Sequence, residues 1–214
     1  MVERRTYLAT LGTAVTAATA GCGFILGNEP ATFSASAAQV PDSTQRETEY
    51  EFKENAEMEV EREFSAGGQT RTVVATNVLA KHEKSISLPV LGDQRAGVFT
   101  ALTTPKVEVL GETFNPIEDM SARDLAKMVQ DRYSGFENLE EADSSEIEIN
   151  GNATQQVKFA AEASLNGSAV DIYLHISDPV GLGSDFVVSF GSYPQRMEGD
   201  EEPNIISLME SIES

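Results

Sequence analysis

The chain has 214 residues with 35 acidic and 15 basic side chains, a net charge of −20, and its length suits one domain of roughly 100–200 residues plus a leader. With 40% apolar residues it can bury a core, which excludes wholesale disorder, and its single cysteine excludes a disulfide framework or a multi-cysteine zinc site. The acid surplus excludes nucleic acid as a partner, because phosphates demand clustered Lys and Arg.

The leader holds the most specific pattern. Arg4-Arg5-Thr6-Tyr7-Leu8 resembles a twin-arginine export signal, with its paired arginines before an aromatic and an aliphatic residue. A mild apolar stretch runs from Tyr7 to Ala20. That is short of the roughly 20 apolar residues a spanning helix needs. Thr19-Ala20-Gly21-Cys22 then resembles a lipobox: small residues let the chain enter a signal peptidase, and the thiol carries the lipid. The expected organisation is a cleaved signal peptide over 1–21, a lipidated tether over 22–30 and one domain over 31–214. A lipid on Cys22 makes the membrane a partner and sets the body on its extracytoplasmic face. Two acyl chains anchor stably, whereas one binds marginally. Phe24, Ile25 and Leu26 can settle into the interface, and the eight residues up to Pro30 reach at most ~28 Å.

Cleavage before Cys22 removes Glu3, Arg4 and Arg5 and deepens the net charge by one. The remaining acids are spread over the body, with dense runs at Glu47–Glu63 and Glu137–Glu148, against six lysines. Such a surface repels itself in dilute buffer, but at 1 M salt the Debye length falls to ~3 Å. A carboxylate-rich, lysine-poor coat therefore suits concentrated brine. Calcium buffering is the rival reading, and the chain lacks the D-x-D-x-D-G loop it calls for.

From Ala31 the pattern is mostly strand. Tyr50 and Phe52, then Met58, Val60 and Phe64, alternate with glutamates, the period of two that a sheet with one dry face requires. Ala66-Gly67-Gly68 marks a turn, and Thr70 to Ala80 reads as the returning strand. Pro89 and Gly92 flank a loop, after which Val98–Leu102 and Lys106–Leu110 read as short strands. Ser121-Ala122-Arg123-Asp124 looks like a capping box, and Leu125, Met128, Val129 and Tyr133 recur at helical spacing. A helix is predicted over 122–133, with Gly135 as its stop.

The C-terminal half is the best defined. Ile147 and Ile149 alternate with Glu146 and Glu148 before an Asn150-Gly151 turn. Val157–Leu165, Val170–Ser177 and Phe186–Tyr193 follow, with Asn166-Gly167 as a second turn. Asn-Gly between alternating stretches favours type I′ hairpins, which need positive φ twice. A last helix is predicted to start near Pro203 and to carry Ile205, Ile206, Leu208, Met209 and Ile212. The sum is an α+β fold, an antiparallel sheet of six to nine strands with about two helices on one face.

Chemistry is sparse. Asp171, Tyr173 and His175 share one strand face opposite Ile172, Leu174 and Ile176. They could move a proton or hold a metal, but the same spacing describes a hydrogen-bonded patch beneath a helix. His82, between Lys81 and Glu83, reads as a solvated strand end. There is no Gly-x-Ser-x-Gly elbow, phosphate loop or dinucleotide fingerprint, and no metal or cofactor is expected. Paired carboxylates are too many for a glycosidase pair to be chosen among them. The acids of 137–148 read as a solvated loop and strand edge. Asn152-Ala153-Thr154 and Asn166-Gly167-Ser168 match the N-glycosylation sequon at hairpin turns.

The leader, Phe99-Thr100-Ala101-Leu102-Thr103-Thr104-Pro105, and the stretch from Ala163-Ser164-Leu165-Asn166-Gly167 to Phe190 resemble an uncharacterised family of haloarchaeal lipoproteins, a domain of unknown function. That resemblance implies a saline habitat and an anchor, and no reaction. The hairpins, the Phe-Val-Val-Ser-Phe strand and the terminal helix also resemble the PsbP-like fold, an architectural likeness that assigns no function. The expected role is a non-catalytic binding or accessory module with a protein partner or small ligand. The alternatives are a carrier or sensor of an apolar molecule beside Leu125, Met128 and Ile206, and a hydrolase using His175.

Overall fold

The computed structural model describes residues 30–66, 69–88, 92–109, 112–113, 115, 117–132, 136–165 and 168–214. Arg4, Arg5 and Cys22 lie outside the described residues, as do Gly67-Gly68, Leu110, Tyr133, Gly135 and Asn166-Gly167.

Eleven strands and three α-helices alternate along the described chain: β1 (Ala31–Ser34), α1 (Asp42–Thr48), β2 (Glu51–Ala66), β3 (Gln69–Leu88), β4 (Gly92–Pro105), β5 (Glu108–Val109), β6 (Glu112–Thr113), α2 (Ala122–Arg132), β7 (Phe136–Ile149), β8 (Asn152–Leu165), β9 (Ser168–Ser177), β10 (Val180–Leu182), β11 (Asp185–Pro194) and α3 (Glu198–Glu210). Nine of the strands form one sheet, and β5 and β6 pair separately. The α+β class and the strand number match the sequence pattern.

Across the sheet, β2 pairs β3, then β4, β11, β9, β8 and β7 follow in antiparallel contact. β1 lies parallel to β3 through Ala31–Val73 to Ser34–Thr76. It extends the row of β4, and β10 extends that of β9 by pairing with the start of β11. β2 and β7 are thus the outer edges.

Register assigns every side chain to a face. Facing α3 are His82, Ala80, Phe99, Ala101, Val187, Tyr193, Ile147 and Ile149, which meet Ile205, Leu208, Met209 and Ile212. On the other face Val157, Phe159, Leu174, Ile176 and Val188 meet Ala122, Leu125 and Ala126 of α2. Each fully buried aliphatic side chain here stabilises the fold by roughly 1.5–3 kcal/mol relative to exposure. Two helices do share one face, but they are α1 and α3. α2, expected beside α3, lies on the opposite side because Leu174 and Ile176 face away from Tyr173 and His175.

The capping box forms as predicted. Ser121 Oγ donates to Asp124 Oδ2 at 2.6 Å, and the Asp124 amide donates to Ser121 Oγ at 3.3 Å. Asp178, from the loop after β9, accepts from the Ala122 amide at 2.6 Å and satisfies another first-turn donor. At the β7–β8 turn Asn150 and Gly151 have φ of 49° and 75°, the two positive values of a type I′ hairpin.

Five expectations need correction. The acids of 137–148, read as a loop and strand edge, all lie within β7, which is strand from Phe136 because it pairs along its length with β8. The dry face foreseen for β2 does not form among its described side chains: Phe52 is 48% and Met58 40% exposed, because no buried cluster covers either face of this strand. His82 is not solvated but 2% exposed, seated edge-on between Phe52 and Phe99 at centroid distances of 5.5 and 6.0 Å. The second short strand is reduced to Glu108–Val109, while the one before it runs to Pro105. α3 begins at Glu198, five residues earlier than the proline-first rule places it, and so has Pro203 inside it. A 3₁₀ turn over Gln195–Met197 leads directly into that helix, so the turn from β11 sets its start.

Candidate functional site

The face of the sheet beneath α3 carries His82, Lys84, Gln156, Lys158 and His175, all of them buried. β9 alternates so that Asp171, Tyr173 and His175 point toward α3, as the spacing predicts, yet they do not form one cluster. Asp171 is exposed, Tyr173 is half-buried, and His175 is 0% exposed.

His175 is held by groups on two neighbouring strands. Ser145 Oγ donates to Gln156 Oε1 at 3.1 Å, which turns the Gln156 amide nitrogen toward His175 Nδ1 at 2.8 Å. Nδ1 is then the acceptor, and Nε2 carries the proton and donates to the Tyr193 hydroxyl at 2.9 Å. Burial, helped by the nearby Lys158 ammonium and opposed by Asp143, lowers the His175 pKa to about 3. Burial also raises the Tyr193 phenol well above its usual range, with Glu202 and Glu198 adding to the shift. An imidazole that is neutral, sealed from solvent and bonded through both nitrogens has no lone pair left for a substrate. This geometry is that of a hydrogen-bonded patch beneath a helix.

A second group fixes the start of α3. Glu201, 1% exposed, takes the Lys84 ammonium at 3.0 Å and the Tyr50 hydroxyl at 3.0 Å, with Asn204 Nδ2 at 3.4 Å. Lys84 also meets Glu49 at 3.2 Å. Burial alone would pull the Lys84 pKa down, but the bonds to Glu201 and Glu49 outweigh it and the net shift is upward. The Tyr50 phenol is raised by burial and then by the Glu201 charge. Gly97 makes room for this contact, since a Cβ there would overlap the Tyr50 hydroxyl. Gly191 does the same for Ile205, whose Cδ1 would lie 2.8 Å from a Cβ.

A third pairing completes the seat. Lys158 of β8 reaches Glu198 at 2.8 Å and Glu202 at 2.9 Å, with its ammonium 5.1 Å from the centre of the Tyr173 ring. No motif in the sequence marks Lys84, Lys158 or Glu201. The alternation of β3 does carry one signal: Lys84 keeps step with Ala80 and His82 on the buried face.

Leu125 and Met128 belong to the core under α2, whereas Ile206 packs on the α3 side. The sheet stands between them, so they cannot line one cavity for an apolar ligand. An open cleft of about 490 Å³ lies at the N-terminus of α2, bordered by Glu118, Asp119, Ser121, Glu146, Gln155 and Asp178. Among the described residues no three His, Cys, Asp or Glu side chains are placed to hold a metal ion. No described helix is long and apolar enough to cross a membrane. Asn152 is exposed at the start of β8.

Two outcomes follow from these bonds. Lys84→Met should cost about 3–5 kcal/mol in urea unfolding, because it leaves Glu201 charged and buried beside one phenol. Adding Glu201→Met should recover most of that loss, and a Lys84→Met protein as stable as wild type would refute the pairing. The second concerns pH. The folded pKa of His175 is depressed from 6.5 to about 3, so the unfolded chain binds the proton first as the medium is acidified. Its contribution is full above pH 6.5 and is lost progressively between 6.5 and about 3. His175→Gln should flatten the fall of the unfolding midpoint across that window, and imidazole resonances that titrate near neutrality would contradict the assignment.

The sequence matches no curated protein. Among solved structures the chain is similar to a protein of unknown function from Pseudomonas aeruginosa, at 11% identity and a TM-score of 0.30, over 67% of this chain and 89% of that one. Residues 37–213 match a family defined only as a domain of unknown function, DUF6517, and the chain belongs to that family.

Proposed function

We propose that this chain is an exported lipoprotein, anchored through Cys22 to the extracytoplasmic face of a membrane, whose α+β body is a non-catalytic binding or accessory module. One observation carries the reading: Arg4-Arg5, an apolar stretch, small residues and the chain's single cysteine occur in that order ahead of the family domain. The seat of α3 supports the non-catalytic part, because its histidine, tyrosines and lysines are taken up by bonds within the fold. A saline habitat and kinship with haloarchaeal lipoproteins fit the charge. β2 carries six glutamates against Lys53 and Arg62, and β7 carries six acids and no base. The likeness to PsbP-like proteins remains architectural and adds no activity.

Mass spectrometry of the protein extracted from its native membrane should find residue 22 at the N-terminus with its sulfur acylated. Cys22→Ser should release the protein or leave the leader attached, and a bare thiol on an uncleaved chain would overturn the anchor. Stability should rise with salt into the molar range, since at ~1 M the Debye length of ~3 Å screens neighbouring carboxylates on β2 and β7. An unfolding temperature that peaks in dilute buffer would refute the saline reading.

A further inference from the structure

We propose that Asn152, at the tip of the β7–β8 hairpin, is an acceptor for an N-linked glycan. The inference rests on the export reading above and goes beyond it. Transfer to an asparagine needs an accessible amide nitrogen and a hydroxyl two residues on, which Asn152-Ala153-Thr154 supplies.

The fold presents this sequon at an open place. The type I′ turn reverses the chain within Asn150 and Gly151, and residues 150 to 153 are all exposed. Asn152 Nδ2 makes a bond to the Asn150 carbonyl at 3.1 Å, which uses one of its two N–H groups and leaves the other directed away from that carbonyl. Asn152 pairs with Ile149 and Thr154 with Ile147, so the amide and the hydroxyl belong to the same face of the hairpin. β7, the partner strand, is an outer edge of the sheet. That face is the one on which Ile147 and Ile149 are buried, while Asn152 itself is exposed and Thr154 half-buried.

The reaction is a redox-neutral substitution. Asn152 Nδ2 attacks the anomeric carbon of a lipid-phosphate-linked oligosaccharide and a carbon–nitrogen bond forms. The carbon–oxygen bond to phosphate breaks, the lipid phosphate leaves with the electron pair, and one amide proton passes to a base of the transferase. A donor in the membrane and an acceptor anchored beside it by Cys22 meet at the same surface.

The experiment uses full-length protein from membranes of its own host, digested and read by mass spectrometry at both the Cys22 and the Asn152 peptides. The expected result is a glycan mass on Asn152. It should disappear in Asn152→Gln and in Thr154→Ala but persist in Thr154→Ser, which keeps the hydroxyl; circular dichroism of each variant reports whether the fold is retained. A bare Asn152 on a molecule whose Cys22 is acylated overturns this inference and leaves the export reading standing. A bare Asn152 on a chain with an intact leader and free thiol overturns both. A glycan confined to Asn166 also overturns the assignment to Asn152.

Discussion

The placement of α3 depends on one buried carboxylate. A charged Glu201 removed from water is tolerable only if its lone pairs are taken, and the fold brings Lys84 from β3, Tyr50 from the end of the α1 turn and Asn204 from α3 itself to take them. That convergence constrains the backbone as well. Gly97 and Gly191 lack side chains where a Cβ would collide with Tyr50 and Ile205, so the helix can lie close enough for the ion pair to close. Lys158 repeats the device four strands further across the sheet, tying Glu198 and Glu202 to β8. With α3 fixed in this way, Ile205, Leu208 and Met209 drop into the core formed by β4, β7 and β11.

The same sheet handles its edges with charge. A β-strand that ends a sheet offers unpaired backbone groups to any other strand it meets, and charged side chains are a common defence. β2 and β7 are those strands here, and they hold the two densest acid runs. On β2, Glu57, Glu59, Glu61 and Glu63 sit at alternate positions and so line one face, at a repeat of roughly 6.8 Å. The acid surplus is therefore more than a solvent-facing average. It falls at the places where a flat, uncharged strand would invite edge-to-edge association.

How much of this could be read from the sequence differs between elements. Alternation located the Ile147–Ile149 end of β7, and β8, β9 and β11, because their faces differ in burial, and the Asn150-Gly151 turn fixed one register; residues 140–146 of β7 are exposed on both faces and carry no such mark. α1 was invisible: its buried side chains are Thr44 and Thr48, so no apolar period marks it. β2 alternates without being buried, since periodicity reports the strand but not whether anything covers it. His82 reads as solvated for the converse reason, that Lys81 and Glu83 beside it describe the opposite face of the strand. Glu201 carries no mark in the sequence, because Lys84 and Tyr50, which hold it, lie 117 and 151 positions away on other elements.

The internal pairing also settles the sign of what the molecule shows to its surroundings. Lys53, Lys81, Lys84, Lys127 and Lys158 each meet a carboxylate, and Lys106 donates to the Gly183 carbonyl while lying over Phe186. All six lysines of the chain are thus engaged within it. The uncompensated charge is carboxylate, concentrated on two opposite margins of one sheet, while the imidazole and phenols that could do chemistry are turned inward under α3. Long-range attraction to such a body favours cations, whether salt ions or basic groups on a partner, and it weakens as salt rises.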